Sequence, residues 1–482
     1  MDLHLIGIKA FQLICCLSLL VVLHEGGHFG FARLFGVRVE RFYMFFNWKF
    51  HLFSTRDKWF TRLFPRFKTN QTEYGIGWIP LGGYCEIAGM VDETTTEEKR
   101  EANKNDERPE ELFMNHSVWH RFWIMFGGVL VNFLTAMVIY CAIAFTWGED
   151  VIPVRDMNMG FQFNEVAKAQ GFRNGDIPVA FDGKAIENYN GVEILRGMSD
   201  ATDVTVLREG KEVVITQSED HPNLLDLQGM IPAYCTPYYP AVVDSVMEGT
   251  PAAEAGIKAG ASFVSIDGVA CETWSDFDSI MTCRSKYLAD HTTEADSLRM
   301  RTMTLAYRVA GETKCSTPDT AKLVLSPDLK MGVVRTPLTN YYTPRHIDYD
   351  ILTCIPAGFS YGWQTLCSYV GDLKYIFTKK GADSVGSFVT IGSIFPETWN
   401  WYRFWNLTAL ISIILAVMNI LPIPGLDGGH IMLLLFEKVT GHEPSERAQV
   451  ITQYIGMGIL LALMLLAFGN DIRHFVLPMF GL

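Results

Sequence analysis

The 482-residue chain has ten cysteines but no Cys-x-x-Cys pair and no framework of close, even spacings. Neither a thiolate zinc site nor a disulfide scaffold follows from them. Basic charge is also scarce: 40 Lys and Arg stand against 53 Asp and Glu, for a formal charge of −13, with acid gathered in stretches such as Asp92 to Glu111. No basic face offers itself to a nucleic acid. The N-terminus lacks a basic leader, having only Lys9, and shows no small-residue cleavage site before His24, so its apolar run reads as a retained helix and not as a secretion signal. What the chain does have is apolar surface. Hydrophobic residues make up 49% of it, which is high for a soluble enzyme and puts part of the chain in a membrane.

Four apolar segments approach the ~20 residues that a helix needs to cross the hydrocarbon core. They run from Leu5 to Leu23, from Phe122 to Trp147, from Leu407 to Pro422 with its flanks, and from Ile451 to Phe468. Arg33, Arg38, Arg41, Lys49, Arg56, Lys58, Arg62, Arg66 and Lys68 crowd the stretch after the first segment. The positive-inside rule assigns that stretch to the cytoplasm, and four crossings then leave both termini and the long middle insert outside. Ile351 to Phe377 is apolar but broken by Pro356, Gly358 and Gly362, and is expected to lie on the membrane surface.

The insert, about Glu149 to Pro344, alternates like β structure and repeats itself. Gly171 to Tyr189 aligns without gaps on Gly256 to Trp274, each copy carrying an Asp-Gly turn between short strands, Asp182-Gly183 and Asp267-Gly268. This local grammar resembles that of a PDZ domain. The second copy adds Gly249-Thr-Pro-Ala-Ala-Glu-Ala-Gly256, which the first replaces with Asn164-Glu-Val-Ala-Lys-Ala-Gln-Gly171.

Chemistry enters at His24-Glu25-Gly26-Gly27-His28, an HExxH motif whose two histidines fall one helical turn apart and can reach one ion. A catalytic zinc takes three protein ligands and leaves a position for water, and Glu25 is placed to accept that water's proton. Ionisable groups at the end of an apolar helix must be paired, solvated or metal-bound. The third ligand has to come from elsewhere, and the third apolar segment runs into Asn419-Ile-Leu-Pro-Ile-Pro-Gly-Leu-Asp427-Gly-Gly-His430. Prolines end the helix there, glycines permit a tight turn, and Asp427 needs a cation or a donor. Spacing alone does not choose between Asp427 and His430.

These motifs together resemble the site-2 protease family, in its bacterial RseP type of regulated intramembrane protease, over nearly the whole chain. The resemblance rests on HEGGH, on Gly77-Trp-Ile-Pro-Leu-Gly-Gly-Tyr-Cys-Glu-Ile-Ala-Gly-Met90, on Arg121-Phe-Trp-Ile-Met-Phe-Gly-Gly-Val-Leu-Val-Asn132, on the repeated insert and on Asn419 to Asp427. It implies that His24, His28 and Asp427 bind Zn2+ with Glu25 as general base. It also implies a membrane-reentrant β hairpin that holds substrate, with Gly82 and Gly83 in it, and a substrate-clamping Asn419. Asn132 reads as a helix-packing amide and stays out of the catalytic set. Two departures are Gly26 with Gly27, which together loosen a helix, and Gly128, where a proline is common.

The expected fold is a polytopic α-helical membrane protein, with about four transmembrane helices, a reentrant β hairpin and two inserted PDZ-like β domains. Its expected divisions are 1–148, 149–232, 233–344, an amphipathic linker at 345–400, and 401–482. The expected function is zinc-dependent intramembrane endoproteolysis. The resemblance implies single-pass substrates already trimmed on their outer side, of anti-sigma-factor type or remnant signal peptides. It further implies a bacterial inner membrane, lipid contact, periplasmic PDZ-like domains and no nucleic-acid partner; the oligomeric state stays open. A catalytically idle PDZ scaffold and a metal transporter are the competing readings. A scaffold has no need of Glu25, and a transporter should line more than one depth of the membrane with ligands.

Overall fold

The computed structural model describes residues 3–69, 71–90, 106–218, 220–291, 293–309 and 317–473; most of the acidic stretch from Asp92 to Glu111 lies outside them. The chain divides into two compact units, one built from 1–148 with 348–482 and the other spanning Glu149–Ile347.

Among the described residues of the first unit, four helices are long and apolar enough to cross a membrane: Leu3–Leu34, Val118–Trp147, Trp401–Ile420 and Glu446–Asp471. Local signals set their ends. Ser117 and Asn400 cap the second and third helices by accepting the amides of His120 and Arg403, and the second stops where Gly148 adopts φ 61°. The first helix does not end at the histidines as its apolar run suggested. It continues past them to Leu34 because Gly27 and Gly127 bring two helix backbones together: a Cβ on Gly27 would strike the Gly127 carbonyl, and one on Gly127 would lie 2.6 Å from the Phe31 ring. Between apolar helices in lipid, such close backbone contact is a main source of association.

The second and third helices pack through Ala136, Met137 and Tyr140 against Ala409, Ile413 and Val417. Ile351 to Phe377, expected at the membrane surface, contains the helix Cys354–Asp372, which packs lengthwise on the second helix. Gly358 sits on the backbone of Cys141 and Gly362 on Met137, so the glycines that appeared to break this segment are its contact face. After the first helix a four-stranded sheet forms in the order β2-β3-β1-β4, from β1 (Val39–Phe46), β2 (Phe53–Ser54), β3 (Glu73–Ile76) and β4 (Ile79–Ile87). β1 pairs parallel with β3 and antiparallel with β4, which leaves β4 at the sheet edge, packed on the first helix.

The second unit contains two copies of one arrangement. In each, an Asp-Gly turn with positive φ at both residues joins two strands: 47° and 76° at Asp182 and Gly183, 48° and 82° at Asp267 and Gly268. The turn aspartate then accepts an amide from the next long strand, Asp203 N at 2.9 Å and Thr304 N at 2.7 Å. The short helix Glu165–Ala169, capped by Asn164, occupies in the first copy the place that Pro251–Glu254 has in the second; left-handed glycines follow both. Each copy's first strand pairs with its last, Phe161–Phe163 with Cys235–Pro237 and Val243–Val246 with Val333–Arg335. The first copy therefore extends past the expected boundary at 232, because its closing strand and the buried Tyr234 and Cys235 belong to its own core. Each fully buried large apolar side chain in these cores contributes roughly 1.5–3 kcal/mol.

Candidate metal centre

The HExxH sequence lies within a continuous helix, so His24 and His28 point to one side, one turn apart. Opposite them the third helix ends at Ile420, and Pro422, Pro424 and Gly425 (φ 90°) turn the chain until Asp427 opens the next helix, Asp427–Thr440. Gly428 and Gly429 make this turn possible. A Cβ on the first would strike the carbonyls of Ile420 and Leu421, and one on the second would lie 2.6 Å from Pro424 Cα.

Three ligand atoms converge there. His24 Nε2 and His28 Nε2 are 3.3 Å apart, and Asp427 Oδ2 lies 3.3 Å from the first and 3.4 Å from the second. Zinc bonds of about 2.0–2.1 Å in tetrahedral directions separate neighbouring ligand atoms by about 3.3–3.4 Å, so the triangle matches one face of such a site. His28 Nδ1 lies 2.8 Å from the Ile124 carbonyl and donates to it, which leaves Nε2 as a lone pair facing the other two atoms. Asp427 Oδ2 is buried without a hydrogen-bond donor. Three ligand atoms that converge on one point at these distances can hold a cation, and two imidazoles with a carboxylate suit zinc.

The Glu25 carboxylate lies near the backbone N–H of Cys85 on the edge strand β4, beside the cluster. Asn419, in the last turn of the third helix, brings Nδ2 to 3.5 Å from His24 Nε2. Gly83 admits β4 to the first helix, since a Cβ there would lie 2.7 Å from the Tyr43 carbonyl and 3.0 Å from Val21 Cγ1. Gly82 instead abuts the Phe46 ring, since a Cβ there would lie 2.6 Å from its Cε2. His430 does not join the cluster. It lines a small cavity with Gly425, Leu433, Gln449 and Gln453. Among the described residues, His24, His28 and Asp427 form the one such group of potential metal ligands.

Sequence reasoning passed over two partners. The Ile124 carbonyl carries no sequence signal. Asn132, read as a packing amide, reaches His24 Nδ1 at 3.2 Å and is fully buried, and a buried amide in an apolar helix was itself a signal. Gly128 lies between them on the same helix face. A Cβ there would come within 2.7 Å of His24 Cε1 and would also strike His28, so its missing side chain makes room for both rings.

A zinc-peptidase type of centre, carried on helices apolar enough to cross a membrane, is the class that this geometry defines. The chain belongs to peptidase family M50, whose sequence profile matches residues 12–463. It is similar to Protease RseP of Yersinia pestis, 28% identical over 95% of this chain and 97% of that protein. It is equally similar to the regulator of sigma-E protease RseP of Salmonella typhimurium, 28% identical over 95% of this chain and 97% of the relative. A Neisseria meningitidis protein provisionally named a zinc metalloprotease is 28% identical over 96% of this chain and 98% of its own length. The chain is a zinc-dependent metalloprotease of the site-2 type.

Proposed function

We propose that the protein is an intramembrane endopeptidase that cuts single-pass membrane proteins inside their apolar segments, with His24, His28 and Asp427 holding zinc and Glu25 acting as general base. The observation that supports this reading is the site's place on the chain: both histidines lie within a helix long and apolar enough to span the membrane. A peptide bond must come into that layer to meet them.

Bound zinc supplies Lewis acidity toward water and toward the scissile carbonyl. A Glu25 Oε takes the proton of the attacking water as its oxygen bonds to the carbonyl carbon, and passes a proton to the amide nitrogen as the C–N bond breaks. The Cys85 amide lies near enough to help orient the carboxylate for both transfers. A helical substrate has no free amides, so it must unwind locally before it can be cut. The outer edge of β4, with Gly82 and Gly83 in it, offers the unwound stretch a strand to pair with, as a hairpin dipping into the membrane. Asn419 stands ready to hold it beside the zinc.

The insert copies fit a PDZ-like reading. In the second, the strand Val333–Arg335 and the helix Trp274–Asp290 line a cavity of about 540 Å³ with Phe277, Met281, Met331 and Gly332, wide enough for an extended chain end. Arg335 crosses it to Asp278 at 2.9 Å. With the basic stretch after the first helix in the cytoplasm, the insert lies on the periplasmic side of a bacterial inner membrane. There it acts as a filter for substrates whose outer domain has been removed, of the anti-sigma-factor or remnant-signal-peptide kind.

Two substrates with one shared span test this in vesicles, one bearing a folded outer domain and one cut back. The cut-back form should be cleaved faster by roughly tenfold or more, with both new chain ends inside the apolar segment by mass. Equal rates would remove the filter, and ends outside the segment would remove the intramembrane reading.

A further inference from the structure

We propose that Asn132 is a positioning residue for the metal centre: its side-chain oxygen accepts the Nδ1 proton of His24 and so fixes the tautomer and ring angle that aim Nε2 at zinc. The proposal rests on the zinc reading of His24, His28 and Asp427.

His24 Nε2 is the ring atom that faces His28 and Asp427, at 3.3 Å from each. A neutral imidazole that offers a lone pair there must carry its proton on Nδ1. The atom 3.2 Å from Nδ1 is Asn132 Nδ2, while Asn132 Oδ1 is buried with no hydrogen-bond partner. In that orientation two donors face each other and an acceptor is wasted. A half-turn of the amide places Oδ1 on the Nδ1 proton and makes one good hydrogen bond; Nδ2 then takes the unpartnered place.

The surroundings fit this role. The Asn132 side chain is fully buried, and its backbone carbonyl accepts Ser412 Oγ at 2.7 Å, so the third helix holds this turn of the second. One face of that helix then serves both ligands at a spacing of four residues. The Ile124 carbonyl takes the Nδ1 proton of His28, Gly128 leaves space for the two rings, and Asn132 takes the Nδ1 proton of His24. Such outer partners orient a ligand and raise its basicity, and losing one typically weakens metal binding by about 10–100-fold.

The test is zinc affinity of the full-length chain in detergent, by competition with a chromophoric chelator, for wild type, Asn132→Leu and Asn132→Asp. Leucine keeps the branched outline, though it is bulkier, and removes the acceptor, so zinc should bind about 10–100-fold more weakly. Aspartate keeps an acceptor at the same reach, can only accept when ionised, and strengthens the imidazole as a ligand, so zinc should bind more tightly than in wild type. Wild-type affinity in Asn132→Leu, or equal or weaker affinity in Asn132→Asp, overturns the proposal. If Asn132→Leu does not fold, the comparison of Asn132→Asp with wild type decides alone. A wild-type chain that binds no zinc sinks the underlying reading instead, which separates the two failures.

Discussion

Glu25→Gln should yield a protein that retains its zinc and cleaves about 10²–10⁴-fold more slowly, the usual contribution of a positioned general base. Glutamine has nearly the same shape as glutamate, and its carbonyl oxygen can still face the Cys85 amide of β4. The three convergent atoms, His24 Nε2, His28 Nε2 and Asp427 Oδ2, are untouched by the change. What is lost is the capacity to take up a proton. Metal analysis and initial rates on the same preparation check this. Loss of zinc together with activity would assign Glu25 to the site's architecture, and full activity would assign the proton transfer to another group.

Asp427→Ala should lose metal as well as activity. A zinc site worth about 10–16 kcal/mol over four ligands gives each roughly 3–4 kcal/mol, so removing the carboxylate should weaken binding by about 10²–10³-fold. A second effect distinguishes this from simple damage to the fold. Without zinc, an imidazole of His24 or His28 that takes up a proton can pair with the Asp427 carboxylate, 3.3 and 3.4 Å away, so wild type keeps a partner for this group whether or not the metal is bound. Zinc should therefore raise the melting temperature of wild type and leave that of Asp427→Ala nearly unchanged at the same concentration. A variant that zinc still stabilises as much as wild type would make Asp427 a structural residue of the Pro-Gly turn and not a ligand.

Much of this centre was legible in the sequence because its parts are local. The spacing of His24 and His28 fixes their relative direction on any helix. Asp427 stood out as an acid amid Pro, Gly and apolar residues, with Gly428 and Gly429 beside it. The choice against His430 was not legible from spacing, since three residues along the first turn of the helix Asp427–Thr440 are enough to leave one side chain at the histidines and the other at a separate cavity. Asn132 illustrates a different limit. Its amide was visible as a polar group in an apolar helix, but its partner lies 108 residues away, and only the close approach of Gly27 to Gly127 brings the two helices near enough for them to meet.

The same limit governs the fold. The Asp-Gly turns of the insert were readable because a turn with positive φ at both residues selects its residue types. That Cys235–Pro237 closes the first copy was not, because nothing in three residues names the strand they pair with, Phe161–Phe163, some seventy positions earlier. Gly26 and Gly27 carried the expectation of a loosened helix, on propensity. In the structure the helix runs through them to Leu34, since tertiary contact at Gly27 outweighs a propensity cost of about 1 kcal/mol per glycine. Gly358 and Gly362 repeat the lesson on the helix Cys354–Asp372.

The most direct measurement follows a cut-back single-pass substrate with purified wild-type protein in a lipid bilayer, as zinc is stripped by a chelator and then restored one equivalent at a time. Cleavage should stop on removal and return in full at one zinc per chain. Cleavage that persists after the zinc is gone, or a zinc-loaded protein that leaves the substrate whole, would contradict a zinc protease centred on His24, His28 and Asp427.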